Sequence, residues 1–244
     1  MSSLYLDEGL DLSGVAVGEI VVLDGDEARH AVTVARVRTG ERLAIGDGRG
    51  RIVRGSVTAT EPRRLELEVD EVHVEEAPVP RITLVQALAK GDRDELAVQA
   101  ATELGVDRIV PWSAARSVSR WEGPKADKGR ARWASIVREA VKQSIRARLP
   151  EVDPVATTGQ LASRFEGERM LLLEPSATTP LRGIRSDGRD LVLVVGPEGG
   201  IDPGELERLE DAGAERVRLG SSVLRTSTAG PAAIAVLSAT LGRW

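Results

Sequence analysis

The hydrophobic positions of this chain fall into two regimes. Up to about residue 75 the apolar runs are short and broken by Gly, Asp or Pro: Glu19-Ile20-Val21-Val22-Leu23, Arg42-Leu43-Ala44-Ile45, Arg51–Val57 and Leu65–Val69. In the last of these, apolar and charged side chains alternate, the period-two pattern of a strand with one face buried. Asp47-Gly48, with Gly50 beside it, predicts a hairpin turn. Ala28–Val37 is predicted as a short helix with Asp26 as its N-cap. Residues 1–75 therefore predict a small β-barrel-like domain. Ala77-Pro78-Val79-Pro80 reads as a hinge, because two prolines oppose both helix and ladder.

Beyond the hinge, residues 76–244 alternate between strand and helix. Ile82–Leu88 predicts an apolar strand, and Asp94–Leu104 a helix closed by Gly105. Arg108–Pro111 predicts the next strand and Ala131–Arg148 a long amphipathic helix. Met170–Leu173 and Leu191–Val195 are buried-strand runs. Asp202-Pro203-Gly204-Glu205 predicts a helix start, with Asp as N-cap, Pro at the first position and Glu closing a capping box. That helix is expected to end at Gly213, followed by a short strand at Val217–Leu219 and an Ala-rich helix over Thr228–Leu241. Alternating units of this kind imply an α/β domain with a mainly parallel sheet and ligands at the carboxyl ends of its strands.

Composition narrows the chemistry. Of 244 residues, 41% are hydrophobic and 29% charged, an ordinary balance for a soluble domain. No apolar run approaches the roughly 18 residues of a membrane span, and the first residues lack the basic-then-apolar pattern of a signal peptide, so a cytoplasmic location is expected. The absence of cysteine excludes disulfides, Cys-ligated zinc and thiol catalysis. His30 and His73 lie too far apart for metal-ligand spacing, and no metal is expected. The net charge of −5 conceals two basic segments: Arg29–Arg64 carries +6 and Arg116–Arg148 carries +7, leaving −18 on the rest. Such segments on an acidic body suit a directed contact with RNA phosphates. On the long helix, Trp133, Ile136, Val137, Ala140, Val141 and Ser144 share one face. Arg138, Lys142 and Arg146, spaced by four, form a cationic stripe roughly opposite and are candidate phosphate contacts. With aromatics at 2%, binding by base stacking is disfavoured, and Trp133 reads as core.

The Leu191–Val195 strand runs into Gly196-Pro197-Glu198-Gly199-Gly200. Three glycines in five residues let backbone approach a ligand closely, yet neither the dinucleotide nor the P-loop spacing is present. A ligand without phosphates, recognised by backbone and apolar walls, suits this loop better. A second loop, Leu219-Gly220-Ser221-Ser222-Val223-Leu224-Arg225-Thr226-Ser227-Thr228-Ala229, leads into the last helix.

The order of these loops resembles the C-terminal signature of the SPOUT methyltransferases, and is most similar to the ribosomal small subunit methyltransferase E family, which methylates N3 of a uridine in 16S rRNA. Lys90-Gly91-Asp92-Arg93 with Thr102-Glu103-Leu104-Gly105-Val106, Arg116-Ser117, Trp133–Ala140 with Gln143-Ser144 and Arg146, and Arg29-His30 with Arg36 and Gly40 resemble its other blocks. One departure stands out: many members read Leu-Arg-Thr-Glu-Thr where this chain has Ser227 in the fourth place. A serine cannot replace a carboxylate base, so no acid/base role is given to that position.

The resemblance implies a trefoil-knotted α/β domain behind a PUA-like barrel, acting as a homodimer on 16S rRNA, within the 30S subunit. It implies S-adenosylmethionine held by Leu173, Gly196, Pro197, Glu198, Gly199, Gly200, Leu219, Gly220, Ser222, Val223, Leu224 and Thr226. Arg225 is the candidate for positioning substrate or favouring the uridine anion. Arg29, His30, Arg36, Arg93, Arg116, Arg138, Lys142 and Arg146 are the candidate RNA contacts. Two rivals share these motifs: a SPOUT enzyme acting on a tRNA base or a ribose 2′-hydroxyl, and a non-catalytic RNA-binding assembly protein.

Overall fold

The computed structural model describes residues 3–244 and divides the chain into two compact units: the first runs up to Ala77 and adds Val141–Leu149, and the second comprises Pro78–Ala140 and Pro150–Trp244. The inclusion of Val141–Leu149 in the first unit is not anticipated by a single cut near residue 75.

The first unit is built on a five-stranded sheet in the order β1-β3-β4-β5-β2. Its strands are β1 (Leu4–Leu6), β2 (Ile20–Asp24), β3 (Arg42–Gly46), β4 (Arg51–Glu61) and β5 (Arg64–Val74). Only β1 and β3 pair in parallel; the other pairs are antiparallel. Leu65, Leu67 and Val69 of β5 point inward onto Leu23, Leu43, Ile45, Val53 and Val57, as the alternation predicts. The β4–β5 hairpin is longer than the sequence pattern suggested, because the ladder continues through register shifts at Arg54/Gly55 and Val57/Ala59. A side chain at Gly55 would stand 1.9 Å from the Glu68 carbonyl oxygen, so the bulge requires glycine.

The expected helix at Ala28–Val37 is corrected. Helix α1 covers Gly25–Arg29, with Asp26 inside it and Asp24 at the N-cap, and a π-helical turn follows at His30–Val34. Arg36 then takes a left-handed φ of 59°, which stops any continuation.

The second unit is a six-stranded, wholly parallel sheet in the order β11-β9-β10-β6-β7-β8. Its elements are β6 (Ile82–Ala87), α2 (Arg93–Glu103), β7 (Arg108–Trp112), α3 (Pro124–Ser144), β8 (Glu151–Val152), α4 (Thr158–Arg164), β9 (Arg169–Leu173), β10 (Leu191–Val195), α5 (Pro203–Asp211), β11 (Glu215–Val217) and α6 (Thr226–Thr240). The central strands β6 and β10 are buried along their whole length, as expected of parallel strands covered on both faces. Val85, Ala87, Val192 and Val194 pack with Leu161 of α4, Phe165 just past its end, and Leu206 and Leu209 of α5. Leu84, Gln86 and Val195 lie under α6, where the missing side chain of Gly230 lets the helix approach.

Helix α3 begins and ends elsewhere than the apolar spacing predicted. Pro124 opens it at the position where a missing N–H costs nothing. Ile145, at φ 55°, ends it, so Arg146 does not continue the four-residue spacing of Arg138 and Lys142. Ile145 and Ala147 instead pack on Leu4, Ala44 and Ile52 of the first unit. The Lys142 ammonium lies 3.2 Å from a Glu27 carboxylate oxygen, and its side chain is only 13% exposed. The expected phosphate-tracking stripe is therefore not a continuous exposed feature.

Asp202 caps α5 by accepting from the Gly204 N–H at 3.0 Å, but no capping box closes. Glu205 turns away and accepts from the Ala115 N–H and the Thr158 hydroxyl.

Candidate active site

Strands β9, β10 and β11 end side by side at Leu173, Val195 and Val217, and the loops beyond them enclose a cavity of about 410 Å³. Leu173, Pro175, Val195, Ile201, Val217, Leu219, Val223 and Leu224 supply apolar wall. Glu174, Glu198, Arg93, Arg218, Ser222, Arg225 and Thr226 supply the polar groups. The lining carries no lysine and no P-loop spacing of glycines, and of its cations Arg93 is already neutralised by Glu198, so a polyphosphate is a poor fit. A neutral or cationic ligand with flat, apolar parts fits better. Val223 is 76% exposed and Leu224 38%. Apolar side chains left uncovered at a cavity mouth are what a ligand of that kind would cover.

Of the residues expected to hold a cofactor, Leu173, Gly196, Pro197, Glu198, Gly200, Leu219, Gly220, Ser222, Val223, Leu224 and Thr226 line this cavity, and Arg225 joins them. Gly199 does not. Its carbonyl accepts from the Arg116 guanidinium at 3.2 Å, and a side chain there would meet Arg116 rather than the cavity. Glu174-Pro175, Val195, Ile201, Val217, Arg218 and Ala229 belong to the lining but carry no motif that singles them out. The stretch that directly follows β9, Glu174 to Pro180, has no glycine to signal close approach.

Three clamps fix the Gly196–Gly200 loop. The Arg93 guanidinium donates to Glu198 Oε1 at 2.9 Å, and the Lys90 N–H donates to the same oxygen at 3.2 Å. Arg116 holds the Gly199 carbonyl and pairs with Asp202 at 3.3 Å. Thr226 donates its hydroxyl proton to the Gly196 carbonyl at 3.0 Å. Arg93 and Arg116, both expected on RNA, are thus engaged in shaping the loop.

Burial works to raise the Glu198 carboxyl, but backbone N–H groups and Arg93 outweigh it and hold the group below the ordinary Glu value. Such a carboxylate is a weak proton acceptor. Arg225 stands at the N-cap of α6 with extended backbone, exposed, and its side chain forms no ion pair among the described residues. Ser227 follows in the first helical turn, which contains no acidic residue.

In the first unit, Arg29, His30 and Arg36 are exposed, on α1, on the π-helical turn and two residues beyond it. His30 also meets Tyr5 edge-on at 6.0 Å. Arg138 is half-buried on α3, and Trp133 is buried against Trp121.

The sequence matches the RNA methyltransferase domain family over residues 75–238 and the RNA methyltransferase PUA domain family over residues 23–70. It is 45% identical over 233 residues to the ribosomal RNA small subunit methyltransferase E of Mycobacterium bovis, covering 93% of this chain and 89% of the relative. It is 31% identical to the protein of the same name from Bacillus subtilis, covering 88% of each. A crystal structure of a ribosomal RNA small subunit methyltransferase E from Neisseria gonorrhoeae, bound to S-adenosyl methionine, superposes with a TM-score of 0.87 at 30% identity, over 99% of this chain and 98% of that one. On these matches the chain belongs to the ribosomal RNA small subunit methyltransferase E family, with a SPOUT-type methyltransferase domain behind a PUA-like domain.

Proposed function

We propose that this protein methylates N3 of a uridine in 16S rRNA, with S-adenosylmethionine as donor and the small ribosomal subunit as substrate. The carrying observation is the apolar cavity closed by two glycine loops at the strand ends, with Arg225 in its lining, exposed and in no ion pair among the described residues. The residues fit the donor: glycines leave room for backbone contact, apolar walls take up flat and aliphatic parts, Glu174 offers a carboxylate to its positive groups and Arg218 a guanidinium to its carboxylate. When bound, S-adenosylmethionine supplies a methyl group on a positive sulfur. The chain's own work is to hold that group in line with the target nitrogen, which can supply much of the rate. The uridine imide must lose its N3 proton, which passes to water, and a cation beside it favours the anion; Arg225 takes that role. Glu198, held below the ordinary Glu value, is a poor base, and Ser227 offers none.

RNA is assigned to the exposed cations of the first unit, Arg29 and Arg36 with His30, together with Arg225. We also infer a trefoil knot in the second unit. It is supported by the Pro180–Arg218 bridge, by β11 lying outside β9, and by α6 packing against the turn at Leu181–Gly183. A homodimer is proposed as the active form, and sedimentation of a fully active monomer would refute it. No helix of the described residues is long and apolar enough to cross a membrane.

The test of the main reading is methyl transfer from S-adenosylmethionine to 30S particles lacking the modification, with nucleoside mass spectrometry of the recovered 16S rRNA. N3-methyluridine is the expected product. A methylated ribose, or transfer to tRNA instead, would replace the substrate assignment. Absence of any cofactor binding by calorimetry would favour a non-catalytic RNA-binding protein.

A further inference from the structure

We propose that Gln86 is a positioning residue for the cofactor cavity, acting through Thr226 on the Gly196 carbonyl. This rests on the reading of the cavity as the S-adenosylmethionine site. Gln86 is fully buried in β6, a strand otherwise made of apolar residues and Thr83. Its amide nitrogen donates to the Thr226 hydroxyl oxygen at 2.8 Å and to the Ala87 carbonyl at 3.1 Å. A backbone carbonyl can only accept, so the nitrogen, not the oxygen, must face it, and the amide orientation is set. Both amide protons are then committed. The Thr226 hydroxyl already accepts from Gln86, and it directs its single proton to the Gly196 carbonyl at 3.0 Å. The result is a one-way chain of hydrogen bonds from β6, through the first residue of α6, to the first residue of the Gly196–Gly200 loop.

This chain ties both cavity loops to one central strand. Thr226 ends the loop that begins at Arg218, and Gly196 begins the other; both line the cavity. Gly196 is further constrained, because a side chain there would stand 2.7 Å from Ile201 Cγ1. The peptide plane after Gly196 is thus aimed by a buried hydroxyl rather than by packing alone. The Gln86 amide oxygen has no partner among the described residues, although it is buried. A buried amide with an idle acceptor is costly beside an apolar side chain of the same volume. It is retained to good purpose if its two donors are what fix the loop.

Calorimetry with S-adenosylmethionine and, separately, with the inert product S-adenosylhomocysteine tests this, alongside melting curves. Gln86→Leu and Thr226→Val should each weaken both ligands about tenfold, the worth of one buried hydrogen bond. The double variant should be little worse than either, because both cut the same chain. Thr226→Ser, which returns the hydroxyl, should restore the affinity that Thr226→Val loses. Should Gln86→Leu fail to fold, the Thr226 pair still decides: equal affinity of the Val and Ser variants overturns the proposal. Folded Gln86→Leu that binds like wild type overturns it too, while leaving the cofactor site itself intact. Wild type that binds neither ligand removes the underlying reading instead.

Discussion

At Gly220 an added side chain would meet no protein atom within 4 Å, whereas at Gly196 it would stand 2.7 Å from Ile201 Cγ1. Both residues line the same cavity, so their variants separate ligand exclusion from folding. Gly220→Val is expected to keep the wild-type melting temperature and to lower S-adenosylmethionine affinity by roughly tenfold or more, because its methyl groups occupy ligand space. Gly196→Val should lower both. Gly220→Val with unchanged affinity would show that the ligand does not approach this loop. Glu198 gives a prediction in pH. Its folded-state value lies below the ordinary 4.5, so its contribution to stability is fully present above 4.5 and is lost as pH falls through the folded value. The difference in melting temperature between wild type and Glu198→Gln should therefore stay constant from neutral pH down to about 4.5 and narrow below it. A difference that widens in acid would mean that the folded state holds this carboxyl protonated.

Helix α3 shows where side-chain spacing misleads. Regular spacing of Arg138, Lys142 and Arg146 implies an RNA-facing stripe only if the helix continues, and Ile145 ends it in a conformation that β-branched residues rarely adopt. Lys142 is committed to Glu27, with both side chains largely out of water. Lys142→Met should accordingly cost roughly 1.5 kcal/mol of stability, the order of one half-buried hydrogen bond to a charged group. It should leave the salt dependence of RNA binding unchanged. Chemical denaturation and a salt titration on one preparation measure both; unchanged stability with a flatter salt slope would return Lys142 to the RNA. Elements whose pattern is purely local were legible in the sequence. The strands β6, β9 and β10 are continuous apolar runs, and α5 opens with Asp202-Pro203. The cavity loops were legible because glycines mark close approach. What escaped depends on distant partners: β8 has two residues and exists only through pairing with β7. Likewise β4 runs on through Gly55 because β5 lies beside it, and Gln86 reads as one polar residue in a strand until Thr226 is placed over it. The start of α4 is written just as locally, since Thr157 and Gln160 form the capping box that Asp202 and Glu205 do not.

At the scale of the whole molecule, the net charge of −5 says little about RNA; what matters is which cations remain uncompensated. In the first unit, Arg42 pairs with Asp70, Arg54 with Glu71, Arg63 with Asp26 and Arg64 with Asp24 and Glu66. Arg29, Arg36 and Arg38 are exposed and form no ion pair among the described residues. They cluster around a π-helical turn and a left-handed arginine, two backbone irregularities that concentrate at functional sites. The net +6 of Arg29–Arg64 thus includes four arginines with carboxylate partners and an exposed set from Arg29 to Arg38 that has none among the described residues. Each phosphate contact contributes roughly 0.7–0.9 to the log–log salt slope. The triple variant Arg29→Gln, Arg36→Asn, Arg38→Gln should therefore flatten the slope for 30S particles by about two units if all three touch phosphate. Asn at 36 tolerates the left-handed backbone, so the melting temperature should hold. Cofactor affinity should hold as well, since none of these residues lines the cavity. The paired arginines provide the control: Arg42→Gln, Arg54→Gln and Arg64→Gln together remove the same three charges from partners that already neutralise them. Its slope should match wild type. Equal flattening by the two sets would mean that binding responds to total charge alone, and that the α1 segment has no special part in holding the RNA.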